Sequence, residues 1–131
     1  MNKLATWALR IGVFGTFCGH GTLALMGNAR WLPYLGIVGI EGDMAFKVMF
    51  VIGIIDWVVA VVTLIKPSKY VLIYAAIWAF SAALVRPLVG ESWLAFVERA
   101  ANWAAPLALY AIQFVDTKSF SDTLQRIDQK L

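Results

Sequence analysis

Asp56 lies in the middle of an unbroken apolar stretch, with Val51-Ile52-Gly53-Ile54-Ile55 before it and Trp57-Val58-Val59-Ala60 after it. A charged acid at the centre of a membrane helix costs roughly 2.5–3.5 kcal/mol on insertion scales, so it should face a bundle interior with a partner, or carry a proton. The sequence offers companions at matching depth: His20, Arg86, Glu98, Arg99 and Asn102. Together these define an expected polar pocket in one half of a bundle, with Trp57 and Arg99 at its border. Such a pocket suits a quinone head group, another small polar ligand or a proton, because buried ionisable groups acquire the shifted pKa values that proton transfer uses. The structural reading of the same residues is a buried Asp56–Arg86 ion pair, with His20 and Asn102 taking up leftover hydrogen bonds, since ion pairs also set helix register. The residue types alone leave both readings open.

Other chemistry is limited by what the chain lacks. His20 is the only histidine and Cys18 the only cysteine, so one chain cannot build a bis-histidine haem site, an intrachain disulfide or a cysteine-based zinc site. Haem would need His20 with a methionine, or a second copy, and is not the expected cofactor; no metal site is expected. There is no phosphate-cradling glycine loop after a strand, no HExxH, no CxxC and no credibly spaced Ser-His-Asp set. A self-sufficient hydrolase or nucleotide enzyme is not expected on these grounds. At most the chain is a membrane subunit of an oxidoreductase.

These residues must be positioned by elements suited to lipid. Of the 131 residues, 61% are hydrophobic and 15% charged, and the mean hydropathy is +0.75. Soluble domains average about 45–50% apolar and about 25% charged residues. A globule this small buries only some two-thirds of its surface, so the excess apolar surface must face a bilayer. The net charge of +3 comes from singly scattered basic residues, and no nucleic-acid partner is expected.

The expected fold is all-α: one membrane domain, residues 1–131, with four spans at about 4–26, 44–65, 70–88 and 96–115. Each is near the length of about 20 residues that a bilayer demands. Gly27-Asn28 should close the first span, Asp43 should N-cap the second, and Lys66-Pro67 should stop it. The first span is too long, and too interrupted by Arg10, for a cleaved signal segment. Arg10 should snorkel to the nearby phosphates. Basic residues gather on the side holding both ends and the second connection, which predicts an inner (plasma) membrane protein with both termini cytoplasmic. The apolar connection Trp31–Ile40 should lie in the opposite interface. In the tail 119–131, Phe120, Leu124, Ile127 and Leu131 recur at helical spacing, which predicts an amphipathic helix resting on the membrane or on a partner protein.

Membrane helices meet through small and polar residues, and each span offers such a stripe. The first has Gly12, Thr16 and His20 beside a Gly15/Gly19 GxxxG pair; the second has Met49, Gly53, Asp56, Ala60 and Thr63. The third has Ala75, Ala79, Ala82 and Arg86, and the fourth has Glu98, Asn102, Ala105, Leu109 and Gln113. Four such stripes predict a compact four-helix bundle.

Arg10-Ile11-Gly12 and Gly19-His20-Gly21 in the first span, the apolar Trp31-to-Gly39 connection and Gly53-Ile54-Ile55-Asp56 in the second span resemble the DoxX-like family of small four-helix membrane proteins. The resemblance covers roughly residues 8 to 113. Where the family usually places a glutamate followed by small residues, this chain has Asp56 followed by Trp57. The resemblance implies a four-helix bundle and, for some members, a small membrane subunit of a quinone-linked or thiol-oxidising complex. The expected function is therefore an accessory or ligand-binding subunit of a membrane redox or stress-response complex. The alternative is a homo-oligomeric small-solute or proton-coupled transporter or channel that titrates Asp56.

Overall fold

The computed structural model describes residues 2–115 and 117–131, and every regular element among them is helical. Helix α1 covers Lys3–Leu25, and the Asn2 side chain accepts the Ala5 N–H at its start. Its end is a Schellman closure. Gly27 takes φ +70°, its N–H reaches the Ala24 carbonyl, and the Asn28 N–H reaches Leu23. The expected stop at Gly27-Asn28 therefore works through the left-handed backbone that glycine adopts at no steric cost.

The apolar connection is not loose chain. A 3-10 turn at Ala29–Trp31 runs into a short helix α2, Leu32–Gly36. Helix α3, Asp43–Ile65, then begins after Gly42, whose φ of +63° makes it the N-cap, while Asp43 sits inside the first turn. Asp43 is thus a charge against the positive end of the helix dipole and not the expected cap. Lys66-Pro67 ends α3 as expected. Helix α4, Lys69–Leu88, closes with the same pattern as α1: Gly90 at φ +98° bonds Pro87, and Glu91 bonds Arg86.

The expected single span at 96–115 is two helices, α5 at Trp93–Val97 and α6 at Ala100–Phe114. The break has a local cause. The Arg99 side chain donates from Nη1 to the Ala95 carbonyl at 2.7 Å, the acceptor a continuous helix would offer to the Arg99 N–H. That N–H turns to Phe96 instead. The final helix, α7, covers Thr117–Lys130. Its Leu124 and Ile127 are half exposed and Leu131 is fully exposed, and the Phe120 side chain lies outside the described residues.

Among the described residues, two helices, α3 and α4, are long and apolar enough to cross a membrane. Helix α1 has the length, 23 residues, but Arg10, His20 and its glycines dilute its apolarity. Helix α6, with 15 residues, spans only about 22 Å.

Helix α1 packs most extensively on α3, and α4 on α6, with α1 against α6 joining the pairs; α3 and α4 touch far less. Val13, Phe17, Val59, Ala60, Ala75 and Ala79 form the core between them. The closest crossing is Gly21 on Gly53. A β-carbon on Gly53 would meet the Gly21 carbonyl oxygen at 2.8 Å and the Leu25 nitrogen at 2.9 Å. The buried face of α1 is accordingly Val13, Phe17, Gly21 and Ala24, one residue around the helix from the expected Gly12-Thr16-His20 stripe. Gly15 and Gly19 have nothing within 4 Å of a β-carbon position, so the GxxxG pair is not the helix contact. The α3 stripe, by contrast, is buried at all five positions. On α4, Ala75 and Ala79 are buried, but Ala83 takes the inward place expected for Ala82.

Candidate functional site

Where α3 and α4 diverge, a cavity of about 390 Å³ opens between them, with α1, the start of α6 and the α2 connection completing its walls. The wall is largely apolar, with Phe17, Met49, Trp78 and Ala79 prominent. Five polar side chains of the expected constellation border it: His20, Asp56, Arg86, Arg99 and Asn102. The Asp56 position follows from the crossing just described. Gly53 presses α3 against α1, and Asp56, one turn on, lies with its Cβ 3.1 Å from a β-carbon built on Gly21.

Asp56 is 3% exposed, and its Oδ1 has no hydrogen-bond partner among the described residues. The buried Asp56–Arg86 pair foreseen as one reading of the sequence is absent from the ion pairs among the described residues. Arg86 lies one turn beyond the buried Ala83, in the last turn of α4. There it finds other partners. Its Nη1 donates to the Tyr34 hydroxyl at 2.8 Å, the Tyr34 hydroxyl donates to Glu91 Oε2 at 2.8 Å, and Arg86 lies 3.9 Å from Glu91. Its guanidinium also lies over the Tyr34 ring, 5.1 Å from the centroid. Arg86 Nε remains buried without a partner.

Tyr34 therefore latches the α2 connection to the end of α4. Burial, followed by the bond to Glu91, pushes its phenol above the ordinary value of 10, so it remains a donor across the physiological range. Trp31, at the other side of the same connection, packs edge-on against His20 with ring centroids 5.7 Å apart. Neither Trp31 nor Tyr34 was expected to form part of the site. The signal was present in the apolar character of the connection: ten residues too hydrophobic for a free loop need something to cover.

Two expected site residues stand elsewhere. Glu98 is directed away from the cavity, with its side chain 67% exposed and paired to Arg99 at 2.6 Å; the helix break at Arg99 turns it outward. Trp57 does not line the cavity either. Its indole Nε1 donates to Thr22 Oγ1 at 3.2 Å, and its ring lies against Gly21 and Phe14. Arg10 also departs from expectation. It reaches across to the end of α3, donating from Nε to the Thr63 carbonyl at 3.3 Å, and from Nη2 to Ile65 at 2.7 Å and to Leu64. Its guanidinium sits 4.1 Å from the Trp7 ring centroid. The last carbonyls of a helix lack internal partners, and a cation answers both the carbonyls and the dipole.

Among the described residues, no three His, Cys, Asp or Glu side chains converge on a point. The cavity thus presents hydrogen-bond donors at the α2 end, an acceptor at its floor and apolar walls between. The fold and site define an all-helical protein with membrane-capable helices around an apolar cavity with polar ends. No family model, curated protein or solved structure matches the chain.

Proposed function

We propose that the chain is a four-span membrane protein of the DoxX-like kind that serves as a ligand-binding accessory subunit of a membrane redox or stress-response complex. Beside α3 and α4, the remaining spans are α1 and the α5–α6 pair. The basic residues near both ends of the chain and at Lys66 and Lys69 favour an orientation with both termini on the cytoplasmic face of the inner membrane. The cavity then opens in the outer half. The α7 helix, with its apolar edge at Leu124, Ile127 and Leu131, rests on the inner leaflet or on a cytoplasmic partner.

The observation that carries this reading is the cavity itself. Its volume falls within the usual range for small-molecule sites, about 300–1,000 Å³, and such sites are apolar with a few convergent polar groups. A quinone head group suits it in kind, since its carbonyls accept hydrogen bonds of the sort that Arg86, Arg99 and Asn102 offer. Native mass spectrometry of the protein, extracted from its own membranes in mild detergent, tests the proposal. The expected result is a retained small molecule or partner subunit.

The unpartnered carboxylate of Asp56 favours a second reading, a homo-oligomeric transporter or channel in which Asp56 titrates. A bare homo-oligomer in the same spectra points to it. Proteoliposomes then decide: pH-dependent flux lost in Asp56→Asn supports transport, and no flux from the unaltered protein removes it.

A further inference from the structure

The polar groups of the cavity are unequal at its two ends. Arg86 Nε at the α2 end is a buried donor without an acceptor, and Asp56 Oδ1 at the floor is a buried acceptor without a donor. Burying a polar group without a partner costs free energy, and these two side chains, of opposite charge, belong to the lining of one cavity. The walls between them, including Phe17, Met49 and Trp78, offer that molecule only dispersion and burial. Arg99 and Asn102 add further donors at the α2 end, while Asp56 has no acidic neighbour among the cavity-lining residues.

We infer that the cavity takes a bipolar small molecule, with a carbonyl or carboxylate at the arginine end, a hydroxyl or ammonium donor on Asp56, and an apolar body bridging the space between them. This rests on the ligand-binding reading above and specifies the chemistry of its occupant. A plain amphiphile with one polar end leaves Asp56 unanswered. A simple lipophilic cation makes no use of the donors of Arg86, Arg99 and Asn102.

The test uses three probes of matched length: octanoate, 8-hydroxyoctanoate and 8-aminooctanoate. Each is titrated calorimetrically into the full chain in nanodiscs, with empty nanodiscs as the blank. In the unaltered protein, the hydroxy or amino acid should bind at least about tenfold tighter than octanoate, the increment expected for one hydrogen bond to a charged group. Preference for the hydroxyl or for the ammonium identifies which donor the site takes. Asp56→Leu should abolish the advantage while leaving octanoate binding in place. If that variant does not fold, Asp56→Asn serves, and should remove the advantage of the ammonium. Arg86→Gln should weaken all three probes alike. Equal affinity for the three probes, or an advantage that survives loss of the Asp56 carboxylate, overturns the bipolar occupant but leaves the cavity a ligand site. Binding of none of the probes, with no molecule retained in the native spectra, overturns the ligand-binding reading as well.

Discussion

One helical turn separates a close helix crossing from a buried carboxylate oxygen that has no partner among the described residues. At Gly53 the neighbouring helix stands so close that a β-carbon would overlap its backbone. At Asp56 a carboxylate oxygen has no partner at all. The two positions lie on one face of one helix, so the contrast does not come from α3. It comes from what α3 meets: α1, drawn in by paired glycines, and α4, which touches α3 far less and shares a core with it at Val59, Ala60, Ala75 and Ala79. Small residues close a helix pair only where both helices supply them at one level. The cavity is the space left where only one does.

The contrast can be broken most severely at the crossing. Gly53→Val places its side chain against backbone atoms that cannot move aside, and overpacking of this kind costs about 1–3 kcal/mol or more. Loss of the monodisperse folded species in detergent is expected; an unchanged unfolding midpoint would show that α1 and α3 do not meet there. Next in size is Arg10→Gln, which strips the α3 carboxyl end of a charged donor. A loss of about 2 kcal/mol is expected in denaturant unfolding, the scale of hydrogen bonds to a charged group. If Arg10 reached only lipid phosphates, stability in a phosphate-free detergent would not change.

Tyr34→Phe sharpens the comparison at the cavity. Removing the bonds to Arg86 and Glu91 should lower stability by about 1 kcal/mol and expose Trp31 to a water-soluble quencher; unaltered quenching would mean that the latch does not hold the α2 connection. Asp56→Asn should leave stability unchanged or raise it, because no partner is lost. A fall of about 3–5 kcal/mol would instead disclose a buried ion pair. Gly15→Ala tests the opposite side of α1, where open space surrounds the new methyl group. A gain of up to about 1 kcal/mol from helix propensity is expected, whereas a loss would restore the GxxxG pair as a contact.

Much of the local structure was legible. Gly27, Pro67 and Gly90 end their helices for reasons of backbone sterics, which need no distant partner. The α3 stripe was legible because this helix is apolar nearly all round, so a row of small and polar residues stands out against it. The α1 face was not. Glycines occur at 12, 15, 19 and 21, on more than one side of the helix, and lipid does not distinguish an apolar face from a neighbouring one. Of the site, His20, Asp56, Arg86, Arg99 and Asn102 were named from type and depth, while Glu98 was misplaced by assuming an unbroken helix through Arg99. Tyr34 and Trp31 were not legible as site residues, because their contacts with Arg86 and His20 form only in the tertiary fold.

By itself, then, the order of residues determines that this chain is helical, rich in apolar residues, stopped at particular glycines and prolines, and burdened with an acid amid isoleucines and valines. Each of those properties is decided within a few residues by sterics, capping and transfer energy. Only the tertiary structure decides which glycine meets which, that Arg10 serves the end of α3, and that Asp56 and Arg86 face one cavity without reaching each other. Those are matters of distance between helices, and a spacing along one helix carries no measure of it.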